Sequence, residues 1–158
     1  MKKTLNVRNL CLSGVIAALY AGLTLLLAPI SYGPVQFRVS EALTLLPVLT
    51  PAAGPGLVIG CFLANLLGST VEDAIIGTGA TFVAALLTRE CRGNKWIAAF
   101  WPVICNALIV GIMLYAMFGG SWIVNILTVG LGEAVVCYAL GIPLVKVLEK
   151  SPRLFDNV

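Results

Sequence analysis

The sequence predicts an all-α polytopic membrane protein. Of its 158 residues, 59% are hydrophobic and 11% are charged, whereas soluble domains are roughly 45–50% apolar and about 25% charged. The mean hydropathy is +1.01. A bilayer admits only helices and closed barrels, and the long apolar runs lack the alternation of barrel strands. The length favours one integral membrane domain, 1–158.

Six membrane-spanning helices are predicted, bounded by Gly and Pro. The first covers 9–28 and ends before Pro29, because proline disfavours helical geometry in the residue before it. Its apolar run approaches the ~20 residues that a span needs, so we expect a retained helix and not a cleaved signal peptide. The others are predicted at 38–50, 55–68, 71–88, 96–117 and 121–148. The second and third are short, so they are enclosed by other helices, cross a thinned bilayer or form a re-entrant hairpin.

Basic residues predict the orientation of the chain. They fall in three clusters, which are Lys2, Lys3 and Arg8; Arg89, Arg92 and Lys95; and Lys146, Lys150 and Arg153. The positive-inside rule assigns such clusters to the cytoplasm, and six spans bring all three to one side. Both termini are therefore expected to be cytoplasmic in a multi-pass protein of the cell membrane. The outer side receives loop 29–37 and the turns 68–73 and 118–121.

The composition argues against an enzyme. The chain has no His, and its five Cys have no CxxC spacing, so a metal site or a disulfide is not expected. No nucleophile lies beside an evident base. The sequence also lacks the phosphate-binding GxxxxGK[ST] loop, so ATP, if it is used, must be hydrolysed by a partner. We expect no cofactor and no nucleic-acid partner.

Two pairs of polar residues are predicted on the outer side. Arg38 and Glu41 are three positions apart, so they either pair with each other on a helix or contact a ligand. Glu72 and Asp73 follow Ser69 and Thr70 with the spacing of a capping box, which explains both acids by helix capping alone. Alternatively, two outward carboxylates attract a cationic or N–H-rich ligand.

Glu133 is the most unusual acid. About twelve residues into the last helix, it lies near mid-membrane, where a charge costs at least ~2.5 kcal/mol. It therefore serves a ligand or coupling role, or else it is protonated or held by a structural hydrogen bond.

Asn65, Asn106 and Asn125 are amides in apolar helices, where interhelical contacts are favoured over ligand contacts. Asn125 is the one most expected to contact a ligand, and Asn65 is kept as a candidate. Tyr32 and Trp122 are interfacial anchors or stacking faces for a flat heterocycle.

Small residues recur every four positions on two helices and predict close packing. The first helix has two such ridges, one of Ser13, Ala17 and Ala21 and one of Gly14, Ala18 and Gly22. Each ridge permits close approach of a helix from this chain or from another protein. For the third helix, with Gly56, Gly60, Ala64 and Gly68, internal packing is the favoured interpretation.

A family resemblance is carried by one continuous stretch. The sequence APISYGPVQFRVSEALTLLPVLTPAAGPGLVIGCFLANLLG, preceded by AALYAGLTLLLA, resembles the QueT family, substrate-binding (S) components of energy-coupling factor (ECF) transporters. The resemblance implies six helices with an outward pocket beneath the first loop. It also implies a transmembrane coupling protein that docks at an AxxxA motif, matched here by Ala17 and Ala21, and two cytoplasmic ATPases.

The cargo implied by the resemblance is a 7-deazaguanine, namely preQ0, preQ1 or queuine. A carboxylate can accept the adjacent N–H groups of such a ring, while an amide donates to its carbonyl. Glu41, Glu72 and Asp73 are the candidate carboxylates. Two alternatives are an S component for another flat vitamin and a small oligomeric channel or solo transporter with Glu133 lining the pore.

Overall fold

The computed structural model describes residues 7–33 and 36–151, and these form helices and connecting turns without strands. The elements are α1 (Val7–Leu26), α2 (Ala28–Ser31), a 3₁₀ helix (Val39–Val48), α3 (Ala53–Gly68), α4 (Val71–Glu90), α5 (Lys95–Phe118), α6 (Trp122–Val136), a π-helical turn (Cys137–Gly141) and α7 (Ile142–Leu148). The all-helical prediction is confirmed for this part of the chain.

Within residues 7–33 and 36–151, four helical stretches are long and apolar enough to cross a membrane, namely Val7–Leu26, Val71–Glu90, Lys95–Phe118 and Trp122–Leu148. Two apolar helices, Val39–Val48 and Ala53–Gly68, are shorter. Large apolar side chains such as Leu19, Phe82 and Leu131 are exposed on the outside of the bundle. These features support a multi-pass membrane protein, whereas six full spans and cytoplasmic termini stay predictions.

The second predicted helix differs most from expectation. It adopts 3₁₀ geometry over ten residues, although 3₁₀ runs beyond three or four residues are uncommon. Residues 40–48 are all buried, and α1 and α3 to α7 all contact this helix. Of the alternatives for a short second helix, enclosure by other helices is therefore the one that the structure adopts.

Two prolines mark local changes in helical structure: one follows the end of α1, and the other follows the π-helical turn. The first helix ends at Leu26, two residues earlier than expected, and Pro29 lies in the first turn of α2, a position where proline is well tolerated. The last helix continues through the π-helical turn into α7, whose first turn contains Pro143. Because proline has no N–H to donate, the widened turn before it accommodates the missing hydrogen bond.

Glycines bring α1 and α3 into close contact. A Cβ atom on Gly56 would lie 2.6 Å from the Ser13 carbonyl oxygen, and one on Gly60 would lie 2.8 Å from that of Ala17. Any larger residue would push the two helices apart. The prediction of internal packing for the third helix is therefore confirmed.

The same contact separates the two small-residue ridges of α1. Ala17 is buried against α3, and Ala21 is partly buried. The neighbouring ridge of Gly14, Ala18 and Gly22 is exposed. The expected docking motif is thus half covered by this chain's own α3, and the open small-residue surface of α1 lies one position further along.

Candidate binding site

Four ionisable side chains from different parts of the chain are buried inside the bundle. They are Arg38, Glu41, Asp73 and Glu133, each at most 5% exposed. A buried charge is costly unless it is paired and hydrogen-bonded. The partners of these four groups therefore define the chemistry of the interior.

Arg38 pairs with Asp73, 35 positions further along the chain. The Arg38 Nη2 to Asp73 Oδ2 distance is 2.9 Å, and Arg38 Nε donates to the Ser31 carbonyl at 3.4 Å. The Tyr32 ring lies against the guanidinium, with 5.1 Å between the Arg38 Cζ atom and the ring centre, which adds a cation–π interaction. The alternative in which Arg38 pairs with Glu41 on one helix is wrong, since Asp73 supplies the counter-charge.

Tyr32 is fixed by a second contact. Its hydroxyl donates to the Ala64 carbonyl at 2.7 Å, and partial burial raises its pKa to about 12, so the hydroxyl stays a neutral donor. A Cβ on Gly68 would lie 2.6 Å from the Tyr32 ring. Tyr32 therefore holds Arg38 from within this chain, in a position that requires glycine at the end of α3.

Asp73 is positioned by the start of α4. Thr70 is the N-cap, and its hydroxyl accepts a hydrogen bond from the Asp73 backbone N–H at 3.2 Å. Asn65 Nδ2 donates to the Asp73 carbonyl at 3.1 Å. A Cβ on Gly77 would lie 2.7 Å from Asp73 Oδ1, so glycine leaves room for the carboxylate. Capping is confirmed for Thr70, while Glu72 is exposed.

Glu41 and Glu133 form the second part of the buried cluster. The Tyr20 hydroxyl donates to Glu41 Oε1, whereas Glu41 Oε2 has no hydrogen-bond partner among the described residues. Glu133 Oε1 accepts from Asn106 Nδ2 at 2.8 Å and lies 3.8 Å from the Cys137 thiol. Both carboxyl groups line the same small cavity.

A small cavity joins these groups. Its lining comprises Gln36, Arg38, Glu41, Asn106, Val110, Val129 and Glu133. We call this cavity the polar chamber. Its volume is about 10 Å³, which is room for about one water molecule, so a larger ligand must move its walls apart. A lining that combines polar groups with two valines suits a flat, hydrogen-bonding molecule.

The remaining predicted site residues lie outside the polar chamber. Trp122 is 54% exposed, in keeping with an interfacial anchor. Asn125 donates to the Gly119 carbonyl at 3.5 Å and so holds the turn before α6. Asn65 supports Asp73 without lining the cavity. Arg38, Glu41 and Glu133 are the predicted residues that the structure brings together at the chamber.

Sequence reasoning missed Tyr20 and Gln36 of this cluster and expected Asn106 only as an interhelical contact, which its hydrogen bond to Glu133 confirms. Asn106 carried a signal, because an amide in an apolar helix needs a partner. Tyr20 carried none, since an aromatic residue in a span is more simply a packing residue. Gln36 is buried with a left-handed backbone, φ 46°, which is uncommon for a residue other than glycine. Nothing in the sequence around it predicts that geometry.

A larger groove lies elsewhere in the protein. Its volume is about 490 Å³, and its lining is mainly apolar, with Pro47, Pro51, Pro55, Phe82, Leu86 and Arg89 among its residues. Arg89 is already engaged, since its Nη1 donates to the Pro47 carbonyl at 2.9 Å. The groove therefore lacks the inward polar groups that make the polar chamber a specific site.

Long apolar helices with an apolar exterior define a multi-pass membrane protein, and the polar chamber lies in its interior. The family model of the QueT transporter matches residues 10–150. The chain belongs to this family, which confirms the resemblance predicted from the sequence. The family is one of transporters and not of enzymes.

One characterised relative extends the comparison. The queuosine precursor transporter QueT of Lactococcus lactis subsp. cremoris (strain MG1363) is 39% identical over 85 residues, which cover 52% of this chain and 50% of the relative. The alignment thus spans about half the length of either protein. No solved structure matches the chain.

Proposed function

We propose that this chain is the membrane-embedded substrate-binding subunit of an ECF-type importer and that its ligand is a queuosine precursor of the 7-deazaguanine class. The observation that carries the proposal is the unpartnered, buried Glu41 Oε2 at the polar chamber. A buried acceptor without a partner needs an explanation, and a ligand that supplies the donor provides one in a transporter.

The donor pattern of a deazaguanine suits this chamber. Its ring edge presents two adjacent N–H donors, which one carboxylate can accept together. Among the three carboxylates considered from the sequence, Glu41 has an unpartnered oxygen and lines the cavity. Asp73 also has an unpartnered oxygen, Oδ1, but it does not line the cavity and its Oδ2 binds Arg38. Glu72 is exposed. We therefore assign the ring edge to Glu41.

Donors on the chamber wall suit the ring carbonyl. Gln36, Arg38 and Asn106 line the cavity and carry N–H groups. Val110 and Val129 supply an apolar surface for the face of the ring. A deazaguanine would thus accept hydrogen bonds from the N–H groups and pack its ring face against the two valines.

The proposed topology has six membrane-crossing helices with cytoplasmic termini. Arg89, Arg92 and Lys95 surround the turn between α4 and α5 and favour a cytoplasmic location for it. The polar chamber is lined by Val110, which lies 15 residues beyond Lys95, or roughly 22 Å at 1.5 Å per residue. A chamber in the outer half of the bundle suits uptake from outside.

The proposed importer needs three further proteins. A transmembrane coupling protein docks on α1, and two cytoplasmic ATPases supply the energy. Because Ala17 is covered by α3, we assign direct contact to the exposed ridge of Gly14, Ala18 and Gly22, with Ala21 at its edge. Close helix packing on such a ridge provides association where lipid supplies no hydrophobic drive.

Calorimetry on the purified protein tests the ligand. We expect binding of preQ1 or queuine, and weaker binding after Glu41→Gln, which keeps the size of the side chain and removes its charge. Glu90→Gln, the same exchange at an exposed carboxylate at the end of α4, is the matched control. Clear binding of another vitamin, with no heat from any deazaguanine, would leave the S-component fold and overturn the cargo.

An uptake assay tests the partners. Cells that express this chain with the coupling protein and both ATPases should accumulate the precursor, and cells without them should not. Accumulation by this chain alone would favour the solo transporter instead.

A further inference from the structure

The acidic groups around the polar chamber outnumber the basic ones. Arg38 is matched by Asp73 at 2.9 Å. Glu41 and Glu133 then remain, and neither forms an ion pair within the described part of the chain. Within the described residues, the chamber therefore carries two carboxyl groups that form no ion pair.

Glu133 is the less compensated of the two. Its hydrogen-bond partners are the Asn106 amide and the Cys137 thiol, which are neutral donors. Glu41, by contrast, lies three positions after Arg38 in the sequence, and its backbone N–H donates to the Arg38 carbonyl at 3.0 Å. A basic side chain thus lies close in the chain to Glu41 but not to Glu133.

Two buried carboxyl groups that line one cavity are stabilised either by a proton on one of them or by a cation that enters the cavity. When both are buried, they cannot both ionise at low cost, because each disfavours the charge on the other. The unpartnered Glu41 Oε2, on a side chain 1% exposed, is independent evidence that a donor from outside the chain completes this cluster.

Resting on the proposed function, we infer that the polar chamber selects deazaguanines that carry a protonated amine and that Glu133 binds this amine. The ligand inserts between the two carboxyl groups, with its ring edge on Glu41 and its ammonium on Glu133. An aminomethyl group is protonated at neutral pH, as a lysine side chain is. A charge-assisted hydrogen bond to a carboxylate is roughly twice as strong as a neutral one.

Two deazaguanines that differ at one substituent test this inference. PreQ1 has an aminomethyl group where preQ0 has a neutral nitrile, and queuine has a secondary amine at the same position. Calorimetry at one pH and one salt concentration should give a Kd for preQ1 at least about tenfold below that for preQ0, which corresponds to about 1.4 kcal/mol. Queuine should resemble preQ1.

Two variants separate the roles of the acids. Glu133→Gln should weaken preQ1 about tenfold or more and leave preQ0 nearly unchanged, so that the selectivity collapses. Glu41→Gln should weaken both ligands by a similar factor. Glu90→Gln should change neither.

The outcomes are distinguishable. Equal affinity of the unmodified protein for preQ1 and preQ0 would overturn the charge inference and leave the proposed function standing. Selectivity lost in Glu41→Gln but kept in Glu133→Gln would overturn the assignment to Glu133. Failure of all three deazaguanines to bind would overturn both proposals. The comparison of ligands on the unmodified protein decides even if a variant fails to fold.

Discussion

Replacing Asp73 by Asn should destabilise the protein by about 3–5 kcal/mol, the usual cost of leaving one member of a buried ion pair without its partner. Asparagine keeps the shape of the side chain. It also keeps the hydrogen bonds from Asp73 N–H to Thr70 and from Asn65 to the Asp73 carbonyl, because both use the backbone. The loss is therefore confined to the charge that faces Arg38.

Thermal unfolding of the detergent-solubilised protein measures this effect. By the scaling of soluble domains of this size, about 2–4 °C per kcal/mol, the Tm should fall by roughly 6–20 °C. The double variant Arg38→Met, Asp73→Leu removes both charges and should recover much of the loss, because it leaves no uncompensated ion.

Two results would refute this reasoning. A Tm within 2 °C of the unmodified protein for Asp73→Asn would mean that the pair is hydrated and not buried. A double variant as unstable as the sum of the two single variants would mean that the side chains act independently. Thr78→Ala, a substitution one turn along α4 outside the ion pair, provides a reference for unrelated change.

Three further predictions concern packing, docking and the chamber. Gly60→Ala should destabilise the protein by about 1–3 kcal/mol through overpacking. The control is Gly79→Ala, where a Cβ meets nothing within 4 Å, and it should be neutral or stabilising by up to about 1 kcal/mol. Equal Tm values for the two variants would contradict the close α1–α3 contact. Ala18→Trp should abolish uptake in cells with the complete importer while calorimetric ligand affinity is retained, and normal uptake would exclude docking on this ridge. Tyr20→Phe removes a donor to buried Glu41 and should cost about 1–3 kcal/mol, and an unchanged Tm would show that this hydrogen bond does not contribute to stability.

Helix positions were accessible from the sequence because they depend on local patterns. The predicted limits of the third to sixth helices lie within two residues of α3, α4, α5 and the α6–α7 stretch. Apolar runs between Gly, Pro and capping residues set these limits directly. The N-cap at Thr70 was predictable for the same reason, because helix capping is also a local pattern.

The geometry of the second helix could not be predicted from local patterns. A segment buried on every side has no polar face, and α and 3₁₀ geometry both accommodate its apolar residues. The difference is one of length, since ten residues extend about 20 Å as 3₁₀ and about 15 Å as α-helix. The space between the surrounding helices decides which length fits, and the sequence of Val39–Val48 alone does not specify that space.

The small-residue ridges of α1 show a similar limit. The sequence contains two small-residue ridges one position apart, and both satisfy the rule for close helix packing. Only the seating of Gly60 against Ala17 decides which ridge is used internally and which is left open.

The sequence by itself determined the class of protein, the family and which polar residues occur within its apolar helices. Composition and motif strings suffice for these conclusions because they do not depend on which helices touch. Only the tertiary structure decided the pairings, which join Arg38 to Asp73 and Glu133 to Asn106 across 35 and 27 positions. A buried charge must find a partner, but spacing along the chain identifies only neighbours on one helix. The packing of separate helices therefore decides which acids pair with a cation and which are left without one.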